Sequence, residues 1–548
     1  MKPLRVGLLV DGVIASKYVH ELVLWAKGRQ GIVVSHLIVH GPNSPGRANA
    51  VTAFQKRFAG ILFRLLVCCE RLLLKILNRP YADHHRRLDL STIVGEIVEI
   101  EPVDRDGGKA FAKSVATMKT LGLDLLIQCG STIPHADVLR ASRLGAVCLG
   151  DADGHCIPGS AAGFWECYHK APQTAFSIRS LANGSEKGQV LLRGSFRTLY
   201  YFSLNQAQLC RKAYSHFRNL LDRIAQTGKL PEPRETASAY SFVRPHSGDH
   251  PGLIHCIVYA VTITKRILTR ILMKLLRVRE RWGISFLRGS WNKADFSQGN
   301  EASLPKGRFW ADPFLWSQGG KTFCLVEDLV YKANRAHITA LELDGTNVIE
   351  RGIALKEPFH LSFPFLFQYK NELYMCPETA ESRQIRIYRC VEFPLKWALH
   401  RVVMDNVSAV DTIFFERSGR WWMLTTIDQS ETNDYGSELY LFSANSPLET
   451  AWVPHPQNPV KLDARGGRNA GLIIEGDKLF RVAQIQGFDQ YGKGLLVYEI
   501  KAVSDSTYVE ERVAEIDPTF RRGIVGTHHL CTDGTTTVFD HLAHSFVF

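Results

Sequence analysis

Apolar and polar positions follow two different rhythms along this chain, and the change falls near its middle. Up to about residue 225, short apolar runs alternate with stretches of helical period. Leu4–Val10, Ile32–Val39, Val94–Val103, Leu123–Gln128 and Gly145–Leu149 read as strands, with Gln173–Ser180 and Val190–Arg193 after them. Ser16–Lys27, 50–78, Lys109–Thr120, Ala136–Arg143 and Asn205–Gln226 read as helices. Strands and helices in this order predict a doubly wound, mostly parallel α/β sheet. Ligands on such sheets sit beyond the carboxyl ends of the strands, which singles out Cys129-Gly-Ser-Thr132 and Gly150-Asp-Ala-Asp153-Gly-His155.

From residue 283 onward one phrase recurs instead. It reads Arg308-Phe-Trp-Ala-Asp312-Pro-Phe-Leu-Trp316, then His360-Leu-Ser-Phe-Pro364-Phe-Leu-Phe367, then Val410-Asp411-Thr-Ile-Phe-Phe415. Weaker copies follow at Arg468-Asn-Ala-Gly471 and Gly526-Thr-His528-His-Leu530. Each opens a short apolar strand and is followed, after a turn, by a second. The period of about 50–60 residues suits a four-stranded propeller blade, and five copies predict an all-β five-bladed β-propeller. The chain therefore reads as multidomain: residues 1–226, a linker with a basic helix over 227–282, and the propeller over 283–548.

The basic helix changes the picture of partners. Ile263, Ile267, Ile271 and Leu275 recur every fourth position, while Arg266, Arg270, Lys274 and Arg277 fill another side. Residues 61–77 set Arg64, Arg71 and Lys75 on one face in a milder version. Neither segment is long and uncharged enough to span a bilayer, but such a helix can lie in an anionic interface or pack its apolar face on a domain. A net charge of +12 over 548 residues points to an anionic partner, such as phospholipid or a phosphorylated sugar. No nucleic-acid signature accompanies it, so no nucleic acid is expected. The N-terminus reads as a first buried strand rather than a signal peptide. Twelve cysteines without a CxxC pair fit a cytoplasmic location, with peripheral membrane contact as a further expectation.

In a propeller the first strand of each blade lines the channel, so its opening residue faces the funnel. Asp312 and Asp411 hold that place in blades one and three, and Glu378 ends a second strand that can turn back to the same mouth. These three are the candidate catalytic residues. Glu327, His360, Arg468 and His528 are candidate substrate-binding residues, whereas Asn469 reads as a turn former. Phe309, Trp310, Trp316, Trp421 and Trp422 would stack on sugar rings or fill blade cores, Trp422 the latter. Asp151, Asp153, His155 and Cys156 fit no standard zinc spacing, and no metal is expected.

The first half resembles the formyltransferase family that uses 10-formyltetrahydrofolate. The resemblance is carried by Asp124-Leu-Leu-Ile-Gln-Cys-Gly-Ser-Thr-Ile-Pro-His-Ala-Asp-Val-Leu139 and Leu144-Gly-Ala-Val147, with Gly163-Phe-Trp-Glu166, Thr174-Ala-Phe-Ser-Ile178 and Gly188-Gln-Val-Leu-Leu-Arg-Gly194. It implies a site built from an Asn-x-His pair and a later Asp. Here the Asn-x-His position holds Cys148-Leu-Gly150, with Asp151 next, and the Asp-x-Gly position holds Glu186-Lys-Gly188. Asp151, His155 and Glu186 are what remains for such a site, with 10-formyltetrahydrofolate as the implied donor.

The propeller is similar to five-bladed glycosidases and fructosidases in its Trp-Ala-Asp-Pro opening and its spread of carboxylates. It resembles more closely the N-terminal propeller of plant glucosamine inositolphosphorylceramide transferases. Phe309-Trp-Ala-Asp-Pro313, Ser362-Phe-Pro-Phe365, Pro377-Glu378, Pro394-Leu-Lys-Trp397, Pro447-Leu448 with Trp452, His455-Pro-Gln-Asn-Pro459, Arg468-Asn-Ala-Gly471 and Gly526-Thr-His528 carry it. Together the resemblances imply a sugar-modifying transferase, formyl- or acyl-transferring, with a glycan-binding propeller. Its substrate would be a lipid-linked or nucleotide-linked sugar in surface glycan or glycolipid synthesis. The alternative is a catalytically degenerate scaffold carrying a glycan-binding or hydrolase-like propeller.

Overall fold

Strands joined through helices pair in parallel, because each crossover returns the chain to the same edge of the sheet. The computed structural model shows this over the N-terminal part of the residues it describes, namely 2–40, 50–77, 86–100, 109–131, 135–151, 161–181, 188–232 and 251–546. The strands are β1 (Leu4–Val10), β2 (Ile14–Ser16), β3 (Ile32–His40), β4 (Arg87–Asp89), β5 (Glu96–Ile100), β6 (Leu125–Gln128), β7 (Ala146–Asp151), β8 (Gln173–Ser180) and β9 (Gln189–Arg197). The helices are α1 (Lys17–Lys27), α2 (Ala50–Ile76), α3 (Lys109–Thr120), α4 (Ala136–Leu139), α5 (Phe164–Tyr168), α6 (Phe202–Thr227) and α7 (Leu253–Leu275). Contacts divide the chain into two units, Met1–Ile267 and Leu268–Phe548.

The main N-terminal sheet has the order β5-β3-β1-β6-β7-β8-β9. Its first five strands are parallel, and β8 and β9 add an antiparallel edge. The winding reverses between β1 and β6, and there Asp11 accepts hydrogen bonds from the backbone N–H and hydroxyl of Ser131, each at 2.8 Å. α4 stops at Leu139, short of the Arg143 that periodicity alone suggests. The linker reading of 227–250 falls largely on 233–250, outside the described residues.

Alternating apolar residues in the second half form blades. β10 (Val278–Arg288) and β11 (Asn300–Glu301) come first, then blade one with β12 (Arg308–Gln318), β13 (Lys321–Val330), β14 (Arg335–Asp344) and β15 (Asn347–Leu355). Blade two has β16 (Ser362–Tyr369), β17 (Glu372–Glu378), β18 (Gln384–Glu392) and β19 (Lys396–Asp405). Blade three has β20 (Ala409–Arg417), β21 (Arg420–Ile427), β22 (Glu438–Ala444), β23 (Val453–Pro454) and β24 (Lys461–Leu462). Blade four has β25 (Arg465–Glu475), β26 (Lys478–Gly487), β27 (Gln490–Val503) and β28 (Tyr508–Ile516). Blade five joins β29 (Ile524–Gly526), β30 (Leu530–Thr532) and β31 (Thr536–Phe546) to β10 and β11. β10 pairs with β31 along its whole length, from Val278 opposite Phe546 to Arg288 opposite Thr536. The five-bladed β-propeller is thus closed by one strand from each end of its own sequence, which leaves no gap in the ring.

The inner strands share one irregularity. Register shifts occur between Ala311 and Phe314, Ser362 and Phe365, and Val410 and Ile413, each against the second strand of the blade. The extra residue has positive φ: 48° at Asp312, 45° at Phe363 and 49° at Asp411. A bulge re-aims one side chain out of the pleat, and positive φ is costly for any residue with a Cβ. Blade four shifts between Asn469 and Gly471, where φ is 134° and a Cβ would come 2.4 Å from the Leu530 carbonyl.

Candidate functional site

The repeated bulge turns Asp312 and Asp411 off their strands, and both are buried. The Asp312 carboxylate accepts from the Phe363 backbone N–H at 3.1 Å and lies 3.2 Å from His528 Nε2. Asp411 is held by Arg468, whose Nε donates at 2.5 Å and Nη2 at 3.2 Å, and by Gln484 Nε2 at 3.2 Å. The same Nη2 reaches Glu378 at 3.5 Å. Arg468 thereby ties a carboxylate of blade three to one of blade two from blade four. Glu327 and His360 Nε2 pair at 3.3 Å, and His360 Nδ1 accepts from the Ala336 N–H. The three candidate catalytic carboxyls and the four candidate binding residues share one electrostatic neighbourhood, since His360, Asp312 and Asp411 all act on Glu378.

Their protonation is pushed apart. Burial drives the Glu378 carboxyl up, the negative charge of Asp411 adds to this, and its pKa reaches about 8. Burial would also raise Asp312, but the positive charge and hydrogen bond of His528 reverse the sign and hold it at about 2. His528 in turn is buried, yet Asp540 and Asp312 raise it to about 10. Burial raises Asp411 as well, against the charge and hydrogen bonds of Arg468, whose guanidinium Asp411 raises in turn. Burial pulls His360 down, but its bond to Glu327 prevails and the imidazole is raised.

Three further groups complete the mouth. Tyr491 lies under the Arg468 guanidinium, 4.9 Å from ring centroid to carbon, and Trp282 packs on His528 with centroids 4.0 Å apart. Gly492, at φ 62°, lets His528 and Trp282 approach; a Cβ there would meet His528 Cβ at 2.7 Å. Trp282 belongs to β10, which begins ahead of residue 283, so a propeller read from the repeat alone does not include it. Gly283 to Leu287 are all buried, so alternation along β10 does not by itself single out the face of Trp282. Trp310, Trp421 and Trp422 lie in the blade core rather than on a stacking surface. Asn469 is no turn former: its amide donates to the carbonyls of Asp411 and Leu424 and clamps two blades.

Among the described residues Asp312, His528 and Asp540 bring ligand-type atoms within 4.8 Å of one another. His528 Nδ1 is 2.8 Å from Asp540, so both ring nitrogens face carboxylates. In the N-terminal unit Asp151 is buried at the end of β7, and its carbonyl accepts from the Ser177 hydroxyl at 3.0 Å. His155 and Glu186 lie outside the described residues.

Residues 296–523 match a family described as glucosamine inositolphosphorylceramide transferase 1, N-terminal. The rice protein of that name (Oryza sativa subsp. japonica) is 36% identical over 208 residues, covering 37% of this chain and 27% of the relative. The Arabidopsis thaliana protein is 36% identical over 217 residues, covering 39% and 28%. The chain thus matches little more than a quarter of those relatives' own length. Among solved structures, an alpha-L-arabinofuranosidase from Podospora anserina aligns at 10% identity and a TM-score of 0.33, over 48% of this chain and 97% of that one. A family 117 glycoside hydrolase from Zobellia galactanivorans aligns at 12% and 0.32, over 49% and 91%. At that level the likeness says nothing about chemistry.

Proposed function

We propose that the propeller mouth binds the sugar of a glycan or glycolipid and performs acid–base chemistry on it during surface glycan or glycolipid synthesis. The observation that carries this reading is the split in protonation around one mouth. At neutral pH Glu378 keeps its proton while Asp312 is ionised. Cleaving or transferring a glycosidic bond needs such a pair: an acid for the leaving oxygen and a carboxylate that activates the incoming hydroxyl or water. In this assignment Glu378 is the acid and Asp312 the base. Asp411, fixed by Arg468, sustains the proton on Glu378. Glu327 and His360 hold sugar hydroxyls, and Trp282 offers its ring face to the sugar. The glucosamine inositolphosphorylceramide transferases supply the substrate class to try first, a sugar joined through inositol phosphate to a lipid.

Purified full chain titrated with oligosaccharides and with inositolphosphorylceramide, followed by ligand-detected NMR, is the direct test. Binding that Asp312→Asn weakens is expected, and turnover in Glu378→Gln should fall by roughly 10²- to 10⁴-fold. No binding to any member of the panel overturns the reading. Binding without turnover in the wild type makes the propeller a glycan reader.

A second reading concerns the N-terminal unit as a formyl- or acyl-transferase using 10-formyltetrahydrofolate. It is favoured by the reversal of winding between β1 and β6, the place where open sheets bind ligands, with buried Asp151 closing the neighbouring β7. A sugar amine would attack the formyl carbon, the bond to the folate nitrogen would break, and Asp151 would relay the amine's proton to that nitrogen. Release of tetrahydrofolate with amino-sugar nucleotides, lost in Asp151→Asn, would support it. No release from the wild type leaves this unit a scaffold.

A further inference from the structure

Two helices outside the propeller carry apolar side chains on the wrong side for a core. α2 presents Phe58, Ile61, Leu65, Leu72 and Ile76 to solvent at 50–73% exposure, spaced as one stripe of a helix. Its other face buries Phe63, Val67, Glu70 and Leu74. α7 repeats the arrangement: Ile254, Ile257 and Val261 are 52–68% exposed, opposite buried Cys256, Tyr259 and Ile263. Neither helix is free to roll its stripe inward. Glu70 accepts from the Tyr259 hydroxyl at 2.5 Å and from the Ser203 backbone N–H at 2.6 Å, which locks the inner faces of α2 and α7 to the start of α6.

Charge selects the occupant. Arg64 and Lys75 are exposed beside the α2 stripe, and Lys265 is exposed within that of α7. No Asp or Glu occurs between residues 253 and 279, and the one acid of α2, Glu70, is buried and bonded. A second copy would bring the same cations against themselves. An anionic bilayer offers hydrocarbon for the stripes and phosphates for the cations at matching depths. No described helix is long and apolar enough to cross a membrane, so the geometry is that of a helix lying on one.

We propose that α2 and α7 form an interfacial membrane-binding surface for anionic phospholipid, with their apolar stripes at the headgroup–acyl boundary. The assignment is independent of the chemistry in the propeller.

The test is co-sedimentation of the full chain with phosphatidylcholine vesicles, with and without phosphatidylglycerol. Binding is expected only to the anionic vesicles at low salt, falling as salt rises. Ile257→Glu with Val261→Glu should abolish it, with the fold confirmed by circular dichroism. Arg64→Ala and Lys75→Ala should each weaken it by roughly fivefold. Indifference of the wild type to anionic vesicles overturns the proposal, as does unchanged binding in the Glu variants. Light scattering that shows a lipid-free dimer, dispersed by Ile257→Glu, would give the stripe to a second copy and overturn it too.

Discussion

Glu378 is half-buried and Asp312 buried, yet they titrate on opposite sides of neutrality because their neighbours differ in sign. Asp411 lies beside the first and the imidazolium of His528 beside the second. If Glu378 is the acid, turnover should fall as pH rises through about 8, and Glu378→Gln should remove that limb from the rate profile. Stability carries the same sign. A carboxyl raised from 4.5 to about 8 binds its proton more tightly when folded, so folding weakens as pH climbs through that window. His528, raised from 6.5 to about 10, adds a loss over its own window. Urea melts against pH should show the decline, flatter between 4.5 and 8 in Glu378→Gln. Gly492→Ala should cost about 1–3 kcal/mol in such melts, since it forces a Cβ into positive φ and onto His528. Asp312 and Asp411 were legible in the sequence because they recur at one position of a repeated phrase. Trp282 and Tyr491 belong to no copy of it: Tyr491 meets Arg468 within blade four, and closure of the ring through β10 and β31 brings Trp282 to His528.

At the scale of elements, the bulge in each inner strand is a device for aiming. Blade two keeps the bulge but spends it on Phe363, which packs on Phe314, and its carboxylate comes from the second strand instead. That swap is why His360, rather than a residue in register with Asp312, reads from sequence as the blade-two position. Blade four is held differently. Arg481 is buried and bonds both oxygens of Glu510, at 2.7 and 2.8 Å, while Lys461 bonds one at 2.5 Å. Glu510→Ala would leave buried Arg481 and half-buried Lys461 without their carboxylate and should cost about 3–5 kcal/mol by denaturant unfolding. Replacing Arg481 and Glu510 together by apolar residues of similar volume should cost less. The periodicity of β26 and β28 announces strands but not this pairing, because their partner positions are set across β27.

For the whole molecule, two units with separate cores predict more than one calorimetric transition, and Glu510→Ala should lower only one of them. The order of strands and the five blades could be read from local spacing, since period is a property of neighbours in the chain, whereas the fourfold recurrence from Ile263 to Leu275 does not mark the exposed stripe of α7, because Ile263 is buried. Sequence also supplied the carboxylates. It could not say which of them keeps its proton. Arg468 meets Glu378 across 90 residues and Asp411 across 57, and His528 meets Asp312 from the far end of the ring. Charge and burial act through space, so those protonation states exist only once blades distant in sequence have come together.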